Sequence, residues 1–292
     1  RGLGQMAADG DAVYWLEGRP REAGRNVVRR RDRHGNVTDA SPAGTSVRTR
    51  VHEYGGGDFT VGAGSLFYVA ERDQGIHAVP PDGTSVARRL TADPPAGTDR
   101  FADLVFDARR RRLLCVREHH AAAGAPTNSL VAVAIDDGRL TTLAAGADFY
   151  ASANLSPAGD WLAWLQWHHP NMPWDGCELR LARVAADGTL HDERRVAGGP
   201  DESIFQPAWS PDGVLHFVSD RSGWWNLARL VGDERHEVCP RAAEFGVPQW
   251  NFGASTYGFA SEKRIICAYS SGGTWQLGAL ATDSGELTAI RT

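Results

Sequence analysis

Short apolar or alternating runs, four to a unit, recur along the chain between clusters of Gly, Pro, Asp and Asn. The two clearest units start at the turns SPAGDWLAW and SPDGVLHFV, whose first residues are Ser156 and Ser210. In the first of them WLAWLQW (161–167) is followed by CELRLARV (177–184), and an Asp-Gly turn then leads to GTLHDERRV (188–196). Runs of this length, bounded by turn residues, are typical of β-strands.

The same kind of turn occurs at six places that lie 45 to 55 residues apart, and these turns begin at Ala7, Gly62, Asp107, Ser156, Ser210 and Ala260. Four short strands in about 50 residues is the sequence pattern of a β-propeller blade. Helical spacing of apolar residues is absent, so helix content should be very low. We therefore predict an all-β fold, a β-propeller of four-stranded antiparallel blades that occupies residues 1–292 as one domain. Six blades are counted, and a seventh can lie outside this chain; the six cover roughly residues 1–44, 45–98, 99–147, 148–199, 200–245 and 246–292.

The tryptophans follow this repeat. Both faces of a blade must be covered by neighbouring sheets, and large aromatic side chains fill the space between them. This predicts a packing role for Trp161, Trp164, Trp167, Trp209, Trp224 and Trp225. The loop HHPNMPWDG (168–176) fits that role less well, and loops on a rigid scaffold are where binding residues concentrate.

Composition excludes several classes of function. The 292 residues carry a formal net charge of -5, so neither nucleic acid nor an anionic membrane is favoured as a partner. No apolar run approaches the roughly 20 residues of a membrane-spanning helix, and the N-terminal residues do not form a secretory signal. The 4 cysteines are far apart and predict buried free thiols, hence a cytoplasmic location. Because the chain starts without Met, we expect it to be a fragment of a longer protein.

Four motifs carry a resemblance to a known family, namely VHEYGGG (51–57), NMPWDG (171–176), WSPDG (209–213) and SDRSGWWNL (219–227). With the repeats, they make the chain similar to the N-terminal propeller of prolyl oligopeptidase-type serine peptidases, in the acylaminoacyl-peptidase or dipeptidyl-aminopeptidase branch. The resemblance implies a partner, a C-terminal α/β-hydrolase domain with a Ser-Asp-His triad. It also implies that the propeller narrows access to that domain, so that peptide substrates enter and folded proteins do not.

The catalytic part of such an enzyme is missing from this sequence. A nucleophile elbow requires G-x-S-x-G, and the sequence contains no such motif. The alternation of strands and helices that builds a parallel sheet is also absent. We therefore expect no catalytic residues, no cofactor and no peptidase activity in this chain alone, and a G-x-S-x-G motif C-terminal to Thr292 in the parent protein.

Candidate substrate-binding residues fall in two loops. Arg50, Glu53 and Tyr54 precede three consecutive glycines, which permit close backbone approach. A carboxylate there could hold a substrate ammonium group, and the alternative is a connection between blades that is held by a buried salt bridge. The second set is His168, Trp174 and Asp175, in the loop that contains PWDG.

Other polar clusters favour structural roles. The pairs His119-His120 and His168-His169 lack acidic or cysteine partners at metal-ligand spacing, so we predict no metal site. The run of four arginines at 109–112 predicts a solvated hairpin turn. Two other functions remain open: a stand-alone propeller that scaffolds protein partners, and a lactonase-like propeller enzyme that holds a metal with Glu, Asn and Asp from several blades.

Overall fold

Twenty-four β-strands and two short 3-10 helices form the secondary structure of the described residues, which are 2–80, 86–92 and 98–291 of this computed structural model. The strands form six antiparallel sheets of four, each built from four consecutive strands that pair in sequence order. The chain is thus a six-bladed β-propeller, and the predicted fold class is confirmed. The 3-10 helices are Pro20–Glu22 and Ala108–Arg110.

Blades 1 to 3 belong to one compact unit, which also includes Asn251–Gly253. Their strands, in chain order, are Gly2–Asp9 (β1), Ala12–Arg19 (β2), Arg25–Arg31 (β3), Val37–Asp39 (β4), Phe59–Gly62 (β5), Ser65–Val69 (β6), Ile76–Val79 (β7), Arg88–Arg89 (β8), Asp99–Asp107 (β9), Arg112–His119 (β10), Thr127–Ala134 (β11) and Leu140–Ala145 (β12).

Blades 4 to 6 belong to the second unit, Ala147–Trp250 with Ala254–Thr292. Their strands are Phe149–Leu155 (β13), Trp161–Trp167 (β14), Glu178–Val184 (β15), Leu190–Gly198 (β16), Ile204–Trp209 (β17), Leu215–Ser219 (β18), Asn226–Val231 (β19), Glu234–Glu237 (β20), Tyr257–Ser261 (β21), Arg264–Ser271 (β22), Thr274–Ala281 (β23) and Leu287–Ala289 (β24).

Each core cluster lies between two adjacent blades of the same unit. In the first unit Tyr14 and Val28 of blade 1 pack with Phe59 and Tyr68 of blade 2. In the second unit a cluster joins blade 5 to blade 6. In blades 2 to 5 the second strand is buried along most of its length, and in β14 it reads as the continuous apolar run WLAWLQW. None of the described residues of the fourth strands is buried, as in β4 and β16.

The tryptophans differ in how deeply they are buried. Trp164 is fully buried and Trp167 nearly so, which confirms their packing role. Trp161 is half-buried at the end of β14, where the guanidinium of Arg183 lies 4.9 Å from its ring centroid. The predicted packing role is wrong for Trp224, which is 43% exposed because it lies in the loop before β19 and not in a strand.

The four cysteines are buried free thiols, as predicted. Burial raises the pKa of the Cys177 and Cys267 thiols to about 12. None of the helices in the described residues is long and apolar enough to cross a membrane.

Candidate functional site

Two loops contain all the predicted substrate-binding residues, one in each unit. Residues 48–57, which we call the glycine loop, connect β4 to β5 in the first unit. Residues 168–176, the histidine–tryptophan loop, connect β14 to β15 in the second.

The three glycines of the glycine loop allow its backbone to touch neighbouring backbone. Gly55, Gly56 and Gly57 all have positive φ. A Cβ on Gly56 would lie 2.3 Å from the carbonyl oxygen of Phe252, with which Gly56 forms a parallel bridge. A Cβ on Gly57 would lie 2.7 Å from the Cα of Asp103. The three glycines of HEYGGG are thus required by packing at these positions.

A salt bridge anchors Glu53, the acidic residue of this loop. Arg100, at the start of β9, donates from Nη1 to Glu53 Oε1 at 2.5 Å and to the backbone oxygen of Arg50 at 2.8 Å. The same nitrogen lies 3.4 Å from Glu118 Oε1. The hydrogen bond from Arg100 lowers the pKa of Glu53. The alternative considered for Glu53 was a buried salt bridge. The ion pair with Arg100 is present, but only its arginine side is largely buried.

Glu53 is nevertheless accessible. Its side chain is 73% exposed, whereas that of Arg100 is only 17% exposed. Glu53 itself adopts a left-handed conformation with φ of 64°, which is uncommon for residues other than Gly. The loop therefore presents an ionised carboxylate to solvent on a backbone fixed by hydrogen bonds. Arg50 and Tyr54 are exposed beside it.

His52 lies on the inner side of the same turn. Its backbone N–H donates to Glu118 Oε2 at 2.8 Å, and its ring is 5.1 Å from that of Phe252. Burial lowers the pKa of His52, which keeps the imidazole neutral near pH 7. Sequence reasoning missed Arg100 and Glu118 as partners of the loop. Their pairing in β9 and β10 was a usable signal, because Arg100 and Glu118 are opposite each other in the strand register.

Asp58 follows the last glycine and is buried. One of its carboxylate oxygens accepts a hydrogen bond from the backbone N–H of Thr49, at 2.7 Å. Burial raises the pKa of Asp58 to about 6. Since the folded state favours the protonated acid, this group stabilises the fold below its unfolded pKa of about 4, and the contribution is lost as pH rises through about 6.

We therefore expect the Asp58→Asn variant to gain stability relative to the wild-type protein as pH increases from 4 to 7. Asparagine is a neutral substitute for the protonated acid and keeps an oxygen for the Thr49 N–H. The difference in unfolding free energy should change by about 2–3 kcal/mol over this range. Thermal melts of both proteins across the range measure it, with Asp11→Asn as a control at an exposed carboxylate. A difference that stays constant with pH would contradict the assignment.

The histidine–tryptophan loop is closed by its own aspartate. Asp175 Oδ2 accepts from the backbone N–H of Met172 at 2.9 Å, and the Asp175 N–H donates to Met172 O at 2.9 Å. A Cβ on Gly176 would lie 2.1 Å from the carbonyl oxygen of Pro200. The Asp and the Gly of PWDG therefore each have a structural task.

Of the remaining predicted residues of this loop, His168 is exposed and Trp174 is half-buried. Trp174 is half-buried against Trp250, with ring centroids 4.4 Å apart, and Trp250 is 54% exposed. His168 is exposed and its Nδ1 lies 3.4 Å from Asp148 Oδ2. The sequence does not identify Trp250 as a partner of this loop, because nothing in the repeat relates it to PWDG. Among the residues that the structure describes, no group of three or more His, Cys, Asp or Glu side chains is placed to hold a metal ion.

The chain is similar over its entire length to a puromycin hydrolase of known structure, with 35% sequence identity and a TM-score of 0.93. A puromycin-hydrolyzing peptidase from Mycobacterium tuberculosis is similar over 99% of this chain, with 35% identity and a TM-score of 0.90. The chain covers 47% and 46% of these two proteins, and so spans about half the length of each.

A manganese complex of an oligogalacturonate lyase is a more distant match. It is 15% identical over 96% of this chain and 73% of that chain, with a TM-score of 0.68, which shows the fold alone. No protein-family model matches the sequence, and no curated protein matches it. Given the full-length similarity to the puromycin hydrolases and the loop motifs described above, the chain belongs to the prolyl oligopeptidase family of serine peptidases, as its β-propeller domain.

Proposed function

We propose that this propeller controls substrate access in a serine peptidase whose triad lies in an α/β-hydrolase domain of the same protein. The observation that carries the proposal is the match of the whole chain to about half of a puromycin hydrolase. The absence of G-x-S-x-G from this sequence supports the assignment of catalysis to another part of the protein. Short peptides and puromycin-type amides are the proposed substrate class, and the HEYGGG and PWDG motifs favour the acylaminoacyl-peptidase branch.

Within this proposal Glu53 binds the positively charged group of the substrate. Its carboxylate is exposed, its pKa is lowered by Arg100, and its backbone is held by the turn to Arg50. The ion pair with Arg100 orients the carboxylate, and its exposed part remains available to a substrate ammonium. Charge-assisted hydrogen bonds of this kind are stronger than neutral ones.

We expect Glu53→Gln, in the protein that contains both domains, to raise the KM for a peptide with a free amino terminus by about tenfold, with kcat unchanged. The melting temperature should also be unchanged, because the glutamine oxygen still accepts from Arg100. Steady-state kinetics with a chromogenic peptide and a thermal melt measure both quantities.

Glu262→Gln, at an exposed turn position, is the matched control for loss of one negative charge. A fall in melting temperature without a change in KM would assign Glu53 a structural role only. The isolated chain, assayed in parallel, should give no turnover. Turnover by the isolated chain, or a parent protein without a G-x-S-x-G motif, would overturn the proposed function itself.

A further inference from the structure

A cleft of about 480 Å³ in the second unit is lined by three indole rings. Trp224 and Trp225 come from the loop between β18 and β19, and Trp275 is near the start of β23. We call this site the tryptophan cleft and define it by these three residues with Asp220 and Glu244. Its volume is within the range of about 300–1,000 Å³ that small-molecule sites occupy.

The inner wall of the cleft is fixed. Trp225 is half-buried and stacks on Phe205, with centroids 6.0 Å apart and planes inclined by 9°. Gly246 makes room for the indole, since a Cβ there would lie 2.2 Å from the Trp225 ring. The two outer rings are accessible, with Trp224 43% and Trp275 50% exposed.

Two carboxylates are built into the same cleft. Glu244 Oε2 accepts from the backbone N–H of Trp225 at 2.7 Å, while the Glu244 backbone pairs with Ser270 in both directions at 2.9 Å. Asp220 Oδ1 accepts from the backbone N–H of Ser203 at 2.8 Å. The described residues that line the cleft include these two acids and no Lys, Arg or His. The cleft therefore combines aromatic faces with negative charge.

Aromatic faces and carboxylates both attract cations, and a desolvated cation over a tryptophan ring is held more strongly than one at an exposed site. We propose that the tryptophan cleft binds an organic ammonium ion attached to an apolar or flat group, supplied either by a small amine or by a lysine side chain. The indoles contact the apolar part and the cation, and Asp220 and Glu244 neutralise the charge. This inference is independent of the proposed function, because that function assigns no role to any of the five residues that define the cleft.

Isothermal titration of the 292-residue chain tests the proposal with three probes. The 2-phenylethylammonium ion and 2-phenylethanol have the same ring and differ in the charged group. N-acetyl-L-lysinamide presents a lysine side chain without a second charge. We expect 2-phenylethylammonium to bind at least about tenfold more tightly than 2-phenylethanol. Stronger binding of the lysine derivative than of the amine would identify a protein side chain as the source, and the reverse order would identify a small amine.

Trp275→Ala and Glu244→Gln should each weaken 2-phenylethylammonium binding by about tenfold. Glutamine keeps an oxygen for the Trp225 N–H, and Trp275 is half exposed, so both variants should remain folded; Trp224→Ala replaces Trp275→Ala if that variant does not. Leu277→Ala and Glu234→Gln, exposed residues outside the cleft, are the controls and should bind as wild type. Equal binding of the charged and neutral probes, no binding at millimolar concentration, or equal loss in the control variants would overturn the proposal.

Discussion

Replacing Gly56 with alanine is expected to destabilise the protein by about 3–4 kcal/mol, a value that combines overpacking with the cost of a positive φ. The Cβ would lie 2.3 Å from the carbonyl oxygen and 2.8 Å from the nitrogen of Phe252. Both are backbone atoms, so no side chain can rotate away to make room. The hydrogen bond from Phe252 N to Gly55 O, 3.0 Å long, would be disturbed by the same displacement. A thermal or urea melt of the variant measures the effect.

Gly124 provides a matched control in the same unit. Its φ of 95° is close to the 92° of Gly56, but among the described residues no atom outside Gly124 and its two chain neighbours lies within 4 Å of the position of its Cβ. Gly124→Ala should therefore cost about 1 kcal/mol, the penalty of the backbone conformation alone. Equal melting temperatures for the two variants would contradict the close approach of the glycine loop to Phe252.

Truncation of Trp164 to alanine is expected to cost about 3–5 kcal/mol, the usual range for removal of a large buried aromatic side chain. Trp164 is fully buried in the central part of β14, and its Nε1 donates to Gln166 Oε1 at 3.1 Å. The variant loses both the packing and this bond. Equilibrium unfolding in urea, monitored by circular dichroism, gives the change in free energy.

Trp250→Ala is the control that shows whether the loss of stability depends on burial of the tryptophan or follows removal of any tryptophan. Its side chain is 54% exposed and contacts Trp174. We expect this change to cost less than about 1 kcal/mol, as most surface substitutions do. A small effect at Trp164 together with a large effect at Trp250 would contradict the view that strand tryptophans fill the space between sheets.

The strands were predictable because their signal is local. The predicted run WLAWLQW coincides with β14, and the predicted run CELRLARV contains β15. WLAWLQW is apolar because both faces of its strand are covered, and the turn before it contains residues that favour turns. The repeat then supplied the fold class, since four such strands in about 50 residues have few other arrangements.

The interactions that fix the candidate site join residues far apart in sequence. Arg100 reaches Glu53 across 47 positions, and Gly56 pairs with Phe252 on a distant segment. No local pattern encodes such partners, so the reason for three glycines could be stated only as a need for close approach. The candidate residues lie in the two loops that contain the motifs, and their role in binding stays a prediction.

The run of four arginines illustrates the opposite error, in which local pattern misleads. The prediction of a solvated turn is wrong for Arg110 and Arg112, whose side chains are 6% and 9% exposed. Arg112 Nε donates to Asp107 Oδ2 at 2.9 Å, and Arg110 Nη1 lies 3.2 Å from the same oxygen. Charge counting missed this cluster because the turn folds two of its guanidinium groups back onto one buried carboxylate.

The four buried thiols lie in several blades, so their chemical modification can report where the structure unfolds locally. Cys115 is in blade 3, Cys177 adjoins β15 in blade 4, and Cys239 and Cys267 belong to the core between blades 5 and 6. A thiol reacts with alkylating reagents as its thiolate and only when reagent can reach it. The order in which these cysteines become modified therefore reports which part of the chain loses its structure first, and no foreign label has to be introduced.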